Sequence, residues 1–255
     1  MLMTQTVIAV VNQKGGVGKT TTSINLAAEL ARDKKSVLLV DLDPQGNATS
    51  GLGLAKQNAA QTTYDILLNS AKLSNVVQGT HVAQLSVVPA NANLAGAEVE
   101  LVGRESREFA LKQALTGASY DYIIIDCPPS LGLLTINGLT AANTVLIPVQ
   151  AEYYALEGLS QLLDTIQAVR GSTNPNLELL GIALTMYDKR NSLSEQVQAE
   201  VSKYFGDKLF TTVIPRNVRL AEAPSYGRTI YEHDRWSKGS RAYKSLTKEV
   251  KQRIG

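Results

Sequence analysis

Two lysines five residues apart, Lys14 and Lys19, enclose Gly15-Gly16-Val17-Gly18, and Thr20-Thr21 follow at once. Residue types in this order suit the binding of a polyphosphate. Glycines let the backbone turn tightly and aim successive N–H groups at phosphate oxygens. Lys19 supplies a point charge for β- and γ-phosphates, and Thr20 offers a hydroxyl to Mg²⁺. In the pattern Gly-x-x-x-x-Gly-Lys-Ser/Thr the first glycine falls at position 13, where this chain has Gln13. The loop is therefore a deviant form, with a second lysine, Lys14, at its start.

Carboxylates recur where such a loop needs them. Asp41-Leu42-Asp43-Pro44 follows the apolar run Val37-Leu38-Leu39-Val40, and Asp126-Cys127-Pro128-Pro129 follows Ile123-Ile124-Ile125. Aspartates one residue apart on an extended segment point the same way. One can then reach Mg²⁺-bound or attacking water while the other supports it. Asp126, ending an apolar strand, fits a carboxylate that orients Mg²⁺ through water. Cys127, the chain's one cysteine, excludes a disulfide within the chain and a cysteine-rich metal site, and reads as a small buried residue.

The elements that must position these groups are legible from periodicity. Val7–Val11 reads as a buried strand before the loop, and Ser23–Ala31 as part of a helix after it. Further strands are expected at Ser36–Val40, Leu85–Val88, Tyr122–Ile125, Val145–Val149, Leu179–Met186 and Phe210–Ile214. Helices are expected over Leu94–Leu115, from about Tyr154 to Val169, over Asn191–Phe205 and over Ser237–Ile254. Alternating strands and helices predict an α/β fold of the three-layer P-loop type, a mostly parallel twisted sheet with helices on both faces. Residues 1–255 read as a single domain.

The net charge of +2 hides an asymmetry. Residues 1–202 hold 13 Lys/Arg against 18 Asp/Glu, whereas residues 203–253 hold 12 against 5. A basic end on an acidic body points to a polyanion. Pro215-Arg216-Asn217-Val218-Arg219 follows the last expected strand. Pro215 and Asn217 are candidates for the edge of an adenine base, and Arg216 and Arg219, with Lys189 and Arg190, for DNA phosphates. His81 and His233 lack a metal or catalytic pattern and read as surface residues, and Trp236 reads as packing. The start carries no basic leader, and no run of about 20 apolar residues spans a membrane, so the cytoplasm is expected.

With these motifs placed, the chain resembles the ParA/Soj-type partition ATPases of the ParA/MinD class. The likeness rests on Asn12–Thr21, Asp41–Asn47, Ile125–Ser130 and Val213–Arg219 and spans nearly the whole length. It implies an ATP- and Mg²⁺-dependent sandwich homodimer in which Lys14 crosses to the partner's nucleotide. It also assigns Asp43 to activating the attacking water, with Asp126 as the Walker B carboxylate. Pro215 and Asn217 match the adenine-recognition turn. The resemblance further implies non-specific binding to double-stranded DNA, release by ParB-stimulated hydrolysis and association with the nucleoid. The chain begins directly with its first strand, which fits the short chromosomal type. The alternative is a MinD-like ATPase on a membrane surface, but the tail Lys248–Gly255 has only Val250 and Ile254 as apolar anchors, so no membrane is expected. A small-molecule kinase would need an acceptor site and a base, and Asp43 alone is available.

Overall fold

The computed structural model describes residues 5–152 and 157–255. Met1–Thr4 and Tyr153-Tyr154, the latter at the head of an expected helix, lie outside them. Seven strands form one sheet: β1 (Thr6–Val10), β2 (Val37–Asp41), β3 (Gln78–Gly79), β4 (Leu85–Val88), β5 (Tyr122–Asp126), β6 (Thr144–Gln150) and β7 (Glu178–Thr185). Their order is β3-β4-β2-β5-β1-β6-β7, and every pairing is parallel except β3 with β4. The expected mostly parallel α/β sheet is present.

Strand alternation builds two cores. Val7 and Ala9 of β1 point to one face with Leu38 and Val40 of β2, while Ile8 and Val10 point to the other with Val37 and Leu39. The second face is covered by the helix Lys19–Arg32 through Ile24, Leu26 and Leu30, and by the C-terminal helix Lys238–Ile254 through Tyr243, Leu246 and Val250. The first face is covered by Leu133–Ala141 and Glu157–Ser172, through Leu134, Leu139, Leu162 and Ile166. Buried on both sides, the central strands read as unbroken apolar runs. Each such side chain contributes about 1.5–3 kcal/mol of burial.

Three expectations change. The helix over Leu94–Leu115 is broken into Leu94–Leu101, a 3₁₀ turn at Arg107–Phe109 and Ala110–Ala114, because Ser106 takes a left-handed φ of 54°. Phe210–Ile214 is not a strand. Its ends bond to β7, Phe210 N to Ile182 O at 2.9 Å and Ile214 N to Leu184 O at 2.8 Å. Between them, Thr211 N and Thr212 N donate to the Glu249 carboxylate, at 3.0 and 2.9 Å, and leave the ladder. Trp236 does not pack: it is 74% exposed, with the Arg235 guanidinium over its ring.

Candidate functional site

β1 ends at Val10 and the helix starting at Lys19 follows the glycine-rich loop, so loop and helix N-terminus lie at the sheet's C-terminal edge. Gly16 and Gly18 have φ of 75° and 88°, a left-handed region that side chains avoid. A Cβ at Gly16 would meet nothing within 4 Å, so backbone conformation, rather than crowding, requires glycine there. The loop is tied down from both sides. Asn12 accepts from Lys14 N at 2.9 Å and donates to Pro148 O at 2.7 Å, and Thr185 Oγ1 donates to Val17 O at 2.8 Å. Lys19 is buried and its Nζ donates to Lys14 O at 3.0 Å. Desolvation lowers the Lys19 pKa, against the opposing pull of the Asp126 and Asp43 carboxylates.

Asp41 and Asp126 are register partners at the ends of β2 and β5. Burial drives both carboxyls upward, and at Asp126 the Asp41 charge adds to this while the hydrogen bond from Ser23 opposes it. Their surroundings assign different tasks. Asp41 is committed to structure: Oδ2 accepts from Thr49 N at 2.8 Å and Thr49 Oγ1 at 2.6 Å, and Oδ1 accepts from Asp43 N at 3.2 Å. The Asp43 carboxylate accepts only from Gln45 N, at 2.8 Å, among the described residues. Asp126 Oδ1 accepts from Ser23 Oγ at 2.8 Å, while Oδ2 is the one buried side-chain polar atom without a partner among the described residues. An orphaned carboxylate oxygen beside Thr20 fits a hydrated divalent cation. No group of three or more His, Cys, Asp or Glu among the described residues would hold a metal by protein ligands alone. That pattern fits Mg²⁺, which binds through one or two protein groups plus phosphates and water.

Beside the loop, Gly18, Thr21, Met186, Pro215, Asn217 and Leu220 line a mostly apolar cavity of about 370 Å³. Met186 is held at a φ of 51° on its wall. Asn217 caps the helix Val218–Glu222, its Oδ1 accepting from Arg219 N at 2.9 Å, which leaves its amide N–H groups for a ligand. The cavity, walled in part by Gly18 and Thr21 of the phosphate loop, suits a flat base. Pro215 and Asn217, the candidates for the edge of an adenine base, both line it.

A second cavity of about 640 Å³ backs onto the same turn. Lys189, Arg190, Arg216, Lys238 and Arg241 line it, with Asp188 as its one acid among the described residues, paired to Arg190 at 3.1 Å. Pro215 and Arg216 belong to both cavities. Arg219 is set apart, spent on Glu222 at 2.8 Å and Asp234 at 3.8 Å. Sequence reading missed Ser23, Thr49 and Thr185, and left Lys238 and Arg241 within the basic end at residues 203–253. Ser23 had a signal, since it stands one helical turn after Lys19 and shares its face. His81 and His233 pair with Glu232 and Glu222 at 3.0 and 3.4 Å. Cys127 is buried, and burial pushes its thiol pKa up, so no thiolate forms.

Comparison with known proteins bears on this geometry. A family model described as an AAA domain matches residues 5–179. The sporulation initiation inhibitor protein Soj of Bacillus subtilis is 59% identical over 246 residues, 96% of this chain and 97% of that protein. The chromosome partitioning protein ParA of Myxococcus xanthus is 54% identical, covering 97% of this chain and 88% of its own. Among solved structures, cobyrinic acid a,c-diamide synthase of Mycobacterium smegmatis with bound ADP and magnesium is 40% identical, with a TM-score of 0.85 over 96% of this chain and 93% of its own.

Proposed function

This chain belongs to the ParA/Soj family of chromosome-partitioning ATPases, and from that premise we propose a nucleotide-gated DNA clamp formed by two copies of it. Residues 1–255 act as one unit, in the cytoplasm and on the nucleoid. The observation that carries the reading is the shared wall: Pro215 and Arg216 face the base cavity on one side and the basic groove on the other.

ATP lies with its phosphates on the N–H groups of Gly15–Thr21 and on Lys19, and its adenine between Pro215 and the Asn217 amide. Thr20 and the orphaned Oδ2 of Asp126 would hold Mg²⁺, which would supply positive charge against the phosphate oxygens. Asp43, with one carboxylate oxygen unspent, orients water for attack, while Asp41 supports it by fixing the turn. Lys14 leaves its own loop for the nucleotide of the second copy. Dimerisation then joins two basic grooves, built on Lys189, Arg190, Arg216, Lys238 and Arg241, on one DNA duplex, and Arg219, outside the groove, adds a smaller share. One groove neutralises few phosphates, whereas two add their charge, so assembly gates binding. A ParB-type partner triggers hydrolysis and release. The membrane alternative loses support from the C-terminal helix, whose Tyr243, Leu246 and Val250 are buried on the core. No helix among the described residues is long and apolar enough to cross a membrane.

The test is binding to a random-sequence duplex with ATP, ADP or no nucleotide, with sedimentation followed in parallel. Tight binding is expected only with ATP, together with a dimer, and should fall steeply with salt. Equal binding in all three states refutes the gate.

A further inference from the structure

Glu152, just past the end of β6, received no role from the sequence, yet three segments meet at its carboxylate. Lys14 Nζ lies 3.9 Å from Oε2, Arg216 Nη2 lies 3.5 Å from Oε1, and Gln150 Nε2 donates to Oε1 at 2.6 Å. The two cations are the ones that the preceding reading assigns to different tasks, Lys14 to the second nucleotide and Arg216 to the DNA groove. Within one protomer Lys14 is surplus, because the buried Lys19 already occupies the mouth of the loop. Its ammonium group turns instead along the end of β6 to Glu152.

We propose that Glu152 is a positioning residue that sets the resting state of both sites: it keeps Lys14 within its own protomer and cancels the charge of Arg216 in the groove. This rests on the reading that Lys14 acts across a dimer. The side chains of Lys14, Glu152 and Arg216 are 43%, 46% and 64% exposed, so each pair is weak by construction. An exposed pair shifts an equilibrium by up to about fivefold. That suits a pairing that must open whenever ATP assembles the dimer. A dimer opens two Lys14 pairs, so their combined effect on assembly reaches about 25-fold at most. Gln150 fixes the carboxylate between its two cations and can still donate to a neutral amide there.

Glu152→Gln removes the charge and keeps the shape at a half-exposed position. With a non-hydrolysable ATP analogue, sedimentation equilibrium of the variant should give a dimer several-fold to about 25-fold tighter than wild type. Without nucleotide, fluorescence anisotropy on a random duplex at low salt should give up to about fivefold tighter DNA binding. In an Arg216→Ala background the DNA gain should vanish and the dimer gain should remain. Both gains should fade at high salt. An unchanged dimer overturns the proposal. A weaker dimer overturns it in a more informative way, by making Glu152 a contributor to the interface itself. A wild type that stays monomeric with the analogue fails in the control arm, and refutes the clamp reading and this proposal together.

Discussion

Ser23 is buried and its hydroxyl reaches Asp126 Oδ1 at 2.8 Å, which leaves Oδ2 as the oxygen available to a cation. A hydrogen bond to a charged acceptor is worth about 1.5–3 kcal/mol, or roughly 10- to 100-fold. Ser23→Ala should therefore lose about that much of the Mg²⁺-dependent part of ATP affinity, measured calorimetrically, while affinity in EDTA stays near wild type. An equal loss in both conditions would make Ser23 a packing residue only. Asp126 allows a second test. Burial raises its folded pKa above the unfolded value, so the folded chain binds that proton more tightly. Its contribution to stability is full at acid pH and declines as pH rises from the ordinary carboxylate range toward the raised value. Asp126→Asn removes the decline. The nucleotide-free variant should melt a few degrees above wild type at pH 8 and converge with it toward pH 4. A variant less stable at every pH would mean that hydrogen bonds to the carboxylate outweigh its desolvation.

Secondary-structure elements set how much of this was legible beforehand. β1, the phosphate loop, β2 and β5 were readable because apolar runs, glycines and strand-end aspartates are local signals. The residues alone left Asp41 and Asp43 open and the resemblance chose Asp43; the fold adds a physical reason, since Thr49, which occupies Asp41, returns to it through a separate short helix. The segment before Pro215 was misread as a strand for a non-local reason: Glu249 of the C-terminal helix captures its central N–H groups. The same helix fixes this segment again through Arg253. Its guanidinium donates to Leu180 O at 2.9 Å, Lys208 O at 3.0 Å and Leu209 O at 2.9 Å, and lies 3.9 Å over the Phe210 ring. Arg253→Ala should cost about 2–3 kcal/mol. At about 2–4 °C per kcal/mol for a chain near this size, the melting temperature should fall by roughly 5–10 °C. Arg253→Lys should recover little, because an ammonium lacks the planar fork that serves three carbonyls. Urea unfolding at unchanged m is the check, and a loss under about 0.5 kcal/mol would make the clamp incidental.

Across the whole molecule, the basic end at residues 203–253 is less uniform than its sequence count of 12 Lys/Arg against 5 Asp/Glu. Lys251 pairs with Asp33, Arg253 serves backbone carbonyls, and Arg219 serves Glu222 and Asp234. The cations that converge are Lys238 and Arg241 from the C-terminal helix, Lys189 and Arg190 from the turn after β7, and Arg216 from the base pocket's rim. Convergence matters more than count, because only charges that reach neighbouring phosphates together release their counterions. Lys238→Ala and Arg241→Ala should each weaken ATP-dependent DNA binding across all sequences. Each should also flatten the plot of log affinity against log salt, by about one for every phosphate that is no longer neutralised. Arg219→Ala should flatten it by clearly less, since its charge is already shared between two carboxylates and its removal frees them to repel DNA at a greater distance from the groove. The opposite ranking, with Arg219→Ala giving the largest change in slope, would move the DNA path off the groove and onto the helix Val218–Glu222. The wall shared through Arg216 would then no longer explain how nucleotide and DNA communicate.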